Sequence, residues 1–189
     1  MNSQNNEEAK ILEYFGENPG RLLDIGAADG KVFSNTYALL QKGWQGVMVE
    51  PSSHLIPALL KNTEAFNVEI VNAIIGTQTA GWVRWYECPD FVSTMNEAHA
   101  KIWKETPYQK VTAFQHHWQM LLSKFGDTFD FINIDVEGGS AELFKAMFSS
   151  FPNCRAWCIE HDYKQQEIAG LAEGYTVMVS NGENIILVK

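Results

Sequence analysis

Short apolar runs alternate with segments of helical periodicity along most of the chain, and this alternation constrains the fold more than any other feature. The apolar runs cover residues 21–25, 46–49, 68–75, 129–136 and 156–160. Each run has the length of a strand and is apolar almost throughout, which is typical of strands that are covered on both faces. The pattern therefore predicts a parallel sheet with helices packed on both of its sides.

The segments between these runs complete an α/β pattern. Helices are predicted over residues 7–15, 31–42 and 116–125, where apolar side chains recur at helical spacing. Near the C-terminus, two further strand-like runs flank Asn181-Gly182, a dipeptide that favours a tight turn between antiparallel strands. The predicted fold is a doubly wound, Rossmann-like sheet that is mostly parallel and ends in a C-terminal antiparallel hairpin.

The composition is that of a globular protein and excludes several other classes. Of the 189 residues, 46% are apolar and 20% are charged, which excludes a largely disordered chain. A net charge of −9 without a Lys/Arg cluster argues against a nucleic-acid partner. No apolar stretch approaches the roughly 18 residues of a membrane span, so no membrane partner is expected. We expect residues 1–19 to form a polar, helical lead-in and residues 20–189 to form a single domain.

The N-terminus and the cysteines indicate the compartment of the protein. Residues 1–10 are polar and acidic, unlike the start of a signal peptide. Cys88, Cys154 and Cys158 lack the spacing of a metal site and are predicted to be reduced thiols. A cytoplasmic location is therefore expected.

The turn after the first strand carries the first candidate site, residues 24–30 with the sequence DIGAADG. Gly26 and Ala27 begin a tight turn, and Gly30 permits a close approach of the backbone. The spacing differs from the G-x-G-x-x-G pattern of dinucleotide sites. Asp24 would repel a diphosphate but attract a cationic ligand. These residues therefore favour S-adenosylmethionine, which has an ammonium and a sulfonium group and no phosphate.

The next two strands end in residues that suit the rest of this cofactor. Glu50 closes the second strand, where its carboxylate can accept hydrogen bonds from both ribose hydroxyls. Asn72 or Ala73, at the end of the third strand, would lie near the adenine edge. Because ligands of open α/β sheets bind at the carboxyl ends of the strands, we predict that these residues meet at one site.

Acidic residues also follow two strands of the second half. Asp135 and Glu137 alternate at the end of a strand, would share a face of an extended backbone, and are predicted to have a cofactor or catalytic role. His161, next to Glu160, is a candidate general base or metal ligand. Asp135, Glu160 and His161 would together suit Mg²⁺ or Mn²⁺, which we keep as an alternative to a site without metal.

Taken together, these motifs resemble the FkbM family of class I S-adenosylmethionine-dependent methyltransferases. Residues 24–30 resemble motif I of the class, and Glu50-Pro51 resemble its acidic end of strand two. One departure is Asn133, where the family often has a Lys. Further segments resemble those of the FkbM family in the same order along the chain: residues 73–76, 82–86, 93–94, 134–138, 160–161, 174–175 and 184–186.

The resemblance implies a methyltransferase sheet and transfer of a methyl group to a hydroxyl oxygen, often on a sugar or a natural product. The expected acceptor is a small molecule or a glycan. Asp135, Glu137 and His161 are the candidates to accept the hydroxyl proton. The residues expected to bind the cofactor are Asp24, Gly26, Ala27, Gly30, Glu50, Asn72, Ala73 and Asp135.

Two other functions stay open at this point. An NAD(P)-dependent oxidoreductase would also use Glu50, although the third glycine and a clear Tyr-x-x-x-Lys pair are missing. A methyltransferase-like fold that serves as a non-catalytic binding module is the other alternative. The sequence does not indicate the oligomeric state.

Overall fold

The computed structural model describes residues 2–189, which form seven α-helices, ten strands and one 3₁₀ helix. None of the helices in this part of the chain is long and apolar enough to cross a membrane. The elements of the first half are α1 (Glu7–Phe15), β1 (Arg21–Ile25), α2 (Tyr37–Gln41), β2 (Gln45–Val49), α3 (Ile56–Thr63), β3 (Val68–Val71), β4 (Ile74–Gly76) and β5 (Gly81–Glu87). Those of the second half are α4 (Glu97–Ala100), β6 (Gln109–His117), α5 (Gln119–Phe125), β7 (Phe131–Ile134), α6 (Ser140–Met147), the 3₁₀ helix (Phe148–Ser150), β8 (Ala156–Glu160), α7 (Gln165–Leu171), β9 (Thr176–Ser180) and β10 (Asn184–Val188).

Seven of the strands form one sheet, in the order β3-β2-β1-β7-β8-β10-β9. Strands β1, β2, β3, β7 and β8 run parallel, and β10 pairs antiparallel with both β8 and β9. This arrangement confirms the predicted fold class, a mostly parallel α/β sheet with a C-terminal antiparallel hairpin. The order of the chain reverses between β1 and β7, so the carboxyl ends of these strands border the crevice in which such sheets bind ligands.

The central strands are buried on both faces, as their continuous apolar sequences predict. The paired residues Leu22 and Phe131 belong to one hydrophobic cluster, and the next pair, Leu23 and Ile132, belongs to another. All four side chains are fully buried. Because successive side chains of a strand point to opposite faces, the two clusters lie on opposite sides of the sheet. This packing holds the carboxyl ends of β1 and β7 next to each other.

Helix α1 packs on the sheet and confirms the helix predicted for residues 7–15. Phe15 makes an edge-to-face contact with Trp44, with ring centroids 4.7 Å apart. Glu7, at the start of the helix, accepts a hydrogen bond of 3.0 Å from the side-chain amide of Asn184 in β10. The helix is thereby joined to the C-terminal hairpin. The boundary between a lead-in and a domain at residue 20 stays a prediction.

The prediction of one continuous strand over residues 68–75 is wrong for the second half of this range. β3 ends before Asn72, and Ile74–Gly76 forms β4 of a separate three-stranded sheet with the order β4-β6-β5. Asn72 fixes the break by donating to the main-chain oxygens of Glu50 and Pro51, 2.8 and 3.0 Å away. The apolar run does not reveal this break, because both of its halves suit a strand.

The helix predicted over residues 31–42 is reduced to the five residues of α2. Asp29 accepts hydrogen bonds of 2.8 Å from the main-chain N–H groups of Lys31 and Val32, and Phe33 has a positive φ of 59°. Side-chain bonding of this kind and left-handed backbone both compete with a helix. The chain between β1 and α2 is therefore a loop, and no helix starts directly after Gly30.

The helix predicted over residues 116–125 begins later, at Gln119. His116 and His117 continue β6 instead, where they pair with Ile75 and Gly76 of β4. Pairing with a distant strand therefore decides the conformation of these two residues, and local periodicity cannot reveal it.

The turn after β1 depends on Gly26. Its φ of +92° lies in the left-handed region, and an added Cβ would come within 1.6 Å of the main-chain oxygen of Asp135. Gly26→Ala should therefore lower the free energy of unfolding by at least about 3 kcal/mol, measured by urea denaturation.

Gly126→Ala is the matched control for this variant. Gly126 has a similar φ of +74°, but an added Cβ would have nothing within 4 Å. It should lose only the strain of the backbone conformation, about 1–2 kcal/mol. Equal losses in the two variants would show that the backbone conformation, and not the contact with Asp135, requires a glycine.

Candidate active site

A cavity of about 590 Å³ lies at the carboxyl ends of the central strands. It is lined by residues that follow β1, β2, β7 and β8, which is the edge where the sequence predicts a ligand, and by the segment between β5 and β6. The sequence-predicted residues that line it are Asp24, Gly26, Ala27, Glu50, Ala73, Asp135, Glu137, Glu160 and His161.

Two of the predicted residues, Gly30 and Asn72, are not part of this lining. Gly30 has a φ of +75° and lies against α3, where an added Cβ would come within 2.5 Å of Leu59 Cδ1. Asn72 is turned toward the main chain that follows β2. Both residues therefore shape the loops around the cavity, and their contacts with a cofactor stay predictions.

Asp24 is the centre of a buried chain of hydrogen bonds. Its carboxylate, 2% exposed, accepts from the Thr36 hydroxyl at 2.6 Å and from the Asn133 amide at 2.9 Å. Because a carboxylate can only accept, Asn133 must direct its amide to Asp24, and its carbonyl then accepts from the amide of Asn35 at 3.2 Å. The Oδ1 of Asn35 is left buried and without a partner. Burial raises the pKa of Asp24, although the hydrogen bonds from Thr36 and Asn133 act to lower it.

Glu50 ties the first two strand ends together. Its side chain is 5% exposed and accepts hydrogen bonds from the main-chain N–H groups of Ala28, at 2.8 Å, and Ser52, at 2.7 Å. Burial raises the pKa of this carboxyl group, while the same hydrogen bonds lower it. Since each carboxylate oxygen has a second lone pair, Glu50 can still accept hydrogen bonds from a ligand.

A second group of side chains meets on the β7 and β8 side of the cavity, around His99. The Nε2 of His99 lies 2.7 Å from Glu137 Oε2, and its Nδ1 lies 3.6 Å from Asp162 Oδ1. Glu160 accepts hydrogen bonds of 3.1 Å from the main-chain N–H of Glu137 and from the Ser140 hydroxyl. One imidazole is thus held between carboxylates from two different loops.

The surroundings raise the pKa values of four residues on this side of the cavity, His99, Asp135, Glu137 and Glu160. Burial alone would lower the pKa of His99, but the carboxylates of Asp162 and Glu137 outweigh it and raise that pKa to about 10. Burial raises the pKa of Glu137 to about 7, against the opposing hydrogen bond to His99. Burial, and then the charge of a neighbouring carboxyl group, raises the pKa of both Asp135 and Glu160 well above the ordinary range. The contacts with Glu137 and Asp162 therefore favour the imidazolium form of His99.

Asp135 and Glu137 do not share a face of an extended strand, so that prediction is wrong. β7 ends at Ile134, and Glu137 has a φ of +53°. The chain turns there because the N–H of Val136 donates to the Ser140 hydroxyl, 2.9 Å away. Both carboxyl groups line the cavity, but they reach it from a turn rather than from a strand.

His161 is 2% exposed, and both of its ring nitrogens have main-chain partners. Nδ1 accepts from the N–H of Tyr163 at 3.1 Å, so Nε2 carries the proton and donates to the oxygen of Asn181 at 3.0 Å. Neither nitrogen is free to take a proton or to ligate a metal in this arrangement. Within residues 2–189, the grouping that suits a metal ion is His99, Glu137 and Glu160, whose donor atoms lie within 4.8 Å of one another, and not the predicted set with His161.

The sequence analysis did not single out Asn35, Thr36 or Asp162, and it also missed His99, the histidine held between the carboxylates. His99 lies in α4, in the segment between β5 and β6, which has no pattern that relates it to the strand ends. Thr94 and Asn96 connect this segment to the β7 turn, since their side chains donate to the main-chain oxygens of Glu137 and Gly138 at 2.5 and 2.8 Å. Long-range contacts of this kind, rather than a local sequence pattern, bring the imidazole to the cavity.

Known proteins share this sequence pattern. The family model described as the methyltransferase FkbM domain matches residues 24–181, which include most of the sheet and nearly all of the cavity lining. The chain belongs to the FkbM methyltransferase family. This membership favours a methyltransferase over the oxidoreductase alternative. A search among curated protein sequences finds no match.

Solved structures share the fold at low sequence identity. The FkbM methyltransferase from Methylobacillus flagellatus KT is 11% identical, with a TM-score of 0.58 over 90% of this chain and 44% of that one. The precorrin-6y C5,15-methyltransferase from Geobacter metallireducens GS-15 is 14% identical, with a TM-score of 0.55 over 100% and 89%. The ribosomal protein L11 methylase from Lactobacillus delbrueckii subsp. bulgaricus is 12% identical, with a TM-score of 0.53 over 96% and 74%. These similarities show the fold alone. This chain spans less than half of the length of the FkbM structure.

The raised pKa of His99 predicts a loss of stability at alkaline pH. The folded state holds this proton up to a pKa of about 10, and an unfolded chain only up to about 6.5. The stabilisation is complete below about pH 6.5 and is lost as the pH rises toward 10. Since one pKa unit corresponds to about 1.4 kcal/mol, the free energy of unfolding in urea should fall by more than about 1.4 kcal/mol between pH 7 and 9.

His99→Gln removes this titrating group, so the free energy of unfolding of the variant should fall less steeply between pH 7 and 9 than that of the wild type. The raised pKa values of Asp135 and Glu160 preserve part of the dependence. His54→Gln is the matched control, because the His54 side chain is 37% exposed and lies 3.9 Å from Glu87, and it should keep the wild-type dependence. An unchanged slope in His99→Gln would contradict the assignment.

Proposed function

We propose that the protein is an S-adenosylmethionine-dependent methyltransferase that methylates a hydroxyl oxygen on a sugar or another small molecule. The observation that carries the proposal is the charge of the cavity. The buried carboxylates Asp24 and Glu50 lie at the ends of adjacent strands, and no Lys or Arg of residues 2–189 lines the cavity. A diphosphate would face two carboxylates without a cationic partner. A cofactor with sulfonium and ammonium groups and no phosphate suits the same charges.

The residues around these carboxylates offer the contacts that such a cofactor needs. Asp24 and the unpartnered Oδ1 of Asn35 are acceptors for an ammonium group. Glu50 keeps lone pairs for the hydroxyls of a ribose. Ala73 and Ile75 are buried apolar residues of the lining and suit the faces of an adenine. The cavity also has a typical volume for a small-molecule site, about 300–1,000 Å³.

The chemistry requires a base on the acceptor side. When bound, S-adenosylmethionine supplies a methyl group on a positively charged sulfur. Transfer of that methyl group to an acceptor hydroxyl would leave S-adenosylhomocysteine and would release the hydroxyl proton, which a residue of the protein would have to accept. Glu137 is the group we assign to accept this proton, since its pKa of about 7 suits a base near neutral pH. His99 holds that carboxylate by a contact of 2.7 Å and is a positioning residue.

The other two predicted catalytic residues receive different roles. Asp135 interacts electrostatically with Glu137 and also with Asp24, so it lies between the cofactor side and the acceptor side of the cavity. We therefore place it beside the transferred group rather than at the departing proton. His161 holds the loop after β8, because its two nitrogens are bonded to main-chain atoms.

Titration calorimetry with S-adenosylmethionine, S-adenosylhomocysteine and NADH tests the cofactor. We expect micromolar binding of the first two and none of NADH. Glu50→Gln should weaken the binding of S-adenosylhomocysteine at least tenfold, because hydrogen bonds to a charged group contribute about 1.5–3 kcal/mol each. The control is Glu64→Gln, an exposed position at the end of α3, which should bind like the wild type. Binding of NADH alone would support an oxidoreductase, and no binding by folded protein would support a binding module.

Turnover tests the base. Glu137→Gln should reduce methyl transfer about 10²–10⁴-fold on whichever sugar of an acceptor panel reacts fastest, because the variant cannot take up the hydroxyl proton. Its affinity for S-adenosylhomocysteine should stay within about twofold of the wild type. Glu142→Gln, an exposed substitution on α6, is the control and should retain full activity. Wild-type turnover in Glu137→Gln would exclude this residue as the base.

A further inference from the structure

The acidic lining continues beyond the two carboxylates assigned to the cofactor. It has no Lys or Arg within the described residues, and His99, held against Glu137, is the cationic side chain that the acidic groups share. Besides Asp24 and Glu50, the acidic residues that line the cavity are Asp90, Asp135, Glu137, Glu160, Asp162 and Glu183. An acceptor with a phosphate or a carboxylate would find no partner for its charge and would be repelled.

Three of these residues lie close enough to one another to interact electrostatically, and we call Asp135, Glu160 and Asp162 the acidic recess. Ionised carboxylates that are removed from water are costly unless a cation or several donors accompany them. Burial raises the pKa of both Asp135 and Glu160. The charge of Glu137 adds to the shift of Asp135, the charges of Asp135 and Asp162 add to that of Glu160, and a hydrogen bond with Glu160 opposes the shift of Asp135. A positively charged group in the recess would remove this penalty.

Buried acceptor atoms beside the recess also lack donors. Asp162 Oδ2 and Asn184 Oδ1 are buried and have no hydrogen-bond partner, and both residues belong to the cavity lining. Asn184 is 4% exposed and is the register partner of Glu160. Glu7 determines the orientation of the Asn184 side chain. Because a carboxylate can only accept, the side-chain NH₂ group of Asn184 faces Glu7, and Oδ1 is left without a donor. These positions suit a ligand that brings N–H donors.

Aromatic side chains from three segments lie around the acidic group. Phe33 is 54% exposed, Trp103 is 47% exposed and Tyr163 is 88% exposed, and all three line the cavity. Phe91 contacts Phe33 edge to face, with ring centroids 6.3 Å apart. Exposed aromatic faces can pack on the apolar face of a ring-shaped ligand and attract a cation.

We propose that the acceptor carries a protonated amine in addition to the hydroxyl that is methylated, as amino sugars do, and that the acidic recess binds this amine. The inference rests on the proposed function, because it concerns the acceptor half of the same cavity. An ammonium group is favoured over a divalent metal by the hydrogen bonding already present. His99 Nε2 lies 2.7 Å from Glu137 Oε2 and 3.3 Å from the indole nitrogen of Trp103, and Glu160 Oε2 already accepts from two donors.

The test uses the full chain saturated with S-adenosylhomocysteine and treated with EDTA. Calorimetry is performed with glucosamine, N-acetylglucosamine and glucosamine 6-phosphate, which differ at the amine or by an added phosphate. We expect glucosamine to bind at least tenfold more tightly than either of the other two. Glu160→Gln and Asp162→Asn should each abolish this preference while the affinity for S-adenosylhomocysteine changes less than twofold. Glu142→Gln, on the exposed face of α6, should preserve it.

Several results would overturn the inference. These are equal binding of N-acetylglucosamine, tighter binding of glucosamine 6-phosphate, or no binding of glucosamine. Micromolar binding of Mn²⁺ to the EDTA-treated protein without sugar, lost in Glu160→Gln, would reassign the acidic recess to a metal. Binding of S-adenosylhomocysteine without the amine preference would refute only the acceptor class. Failure to bind S-adenosylhomocysteine would refute the proposed function itself.

Discussion

The hydrogen bond between Asp24 and Asn133 joins β1 to β7, the two strands between which the strand order of the sheet reverses. The polar side chains on the cofactor side of the cavity are arranged around this bond. The two residues are register partners in adjacent parallel strands, so their side chains leave the sheet on the same face. A buried carboxylate without partners would cost several kcal/mol. Its need for donors orients Asn133, brings in Thr36 from the following loop, and leaves Asn35 with an unused acceptor. The buried carboxylate of Asp24 thereby orients the polar side chains on this side of the cavity.

Buried carboxyl groups on the β7 and β8 side of the cavity also need donors or a cation. Carboxyl groups there come from the turns after β7 and β8, and the cation that faces them is His99 of α4. Because burial opposes every ionised carboxylate, the imidazolium and the main-chain donors determine which of them carries charge. A cofactor or acceptor that is cationic and rich in donors stabilises this arrangement, and an anionic one opposes it. This electrostatic selectivity is the strongest physical support for the proposed chemistry.

The sequence predicts best those features that depend on local chemistry and on the alternation of strands and helices. Asp24 and Glu50 could be assigned because each directly ends a buried strand, and such ends meet at one edge of a parallel sheet. Gly30 and Asn72 lie in the correct loops, but the packing of α3 and the main chain after β2 turn them away from the cavity. Glu137 was identified as acidic and close to the site, whereas its direction depends on a left-handed turn that alternation along a strand does not reveal.

The amino-acid sequence by itself determined the α/β class, the position of the cavity at the strand ends, its excess of carboxylates and the resemblance to FkbM methyltransferases. These features arise from interactions between residues near in the chain and from the repeated need to bury apolar strands. Tertiary structure alone decided that β4 leaves the main sheet, that His161 is occupied by main-chain partners, and that His99 meets Glu137 across 38 residues of chain. Contacts of that kind depend on the packing of distant segments and on the partners that buried polar groups must find, so no local pattern encodes them.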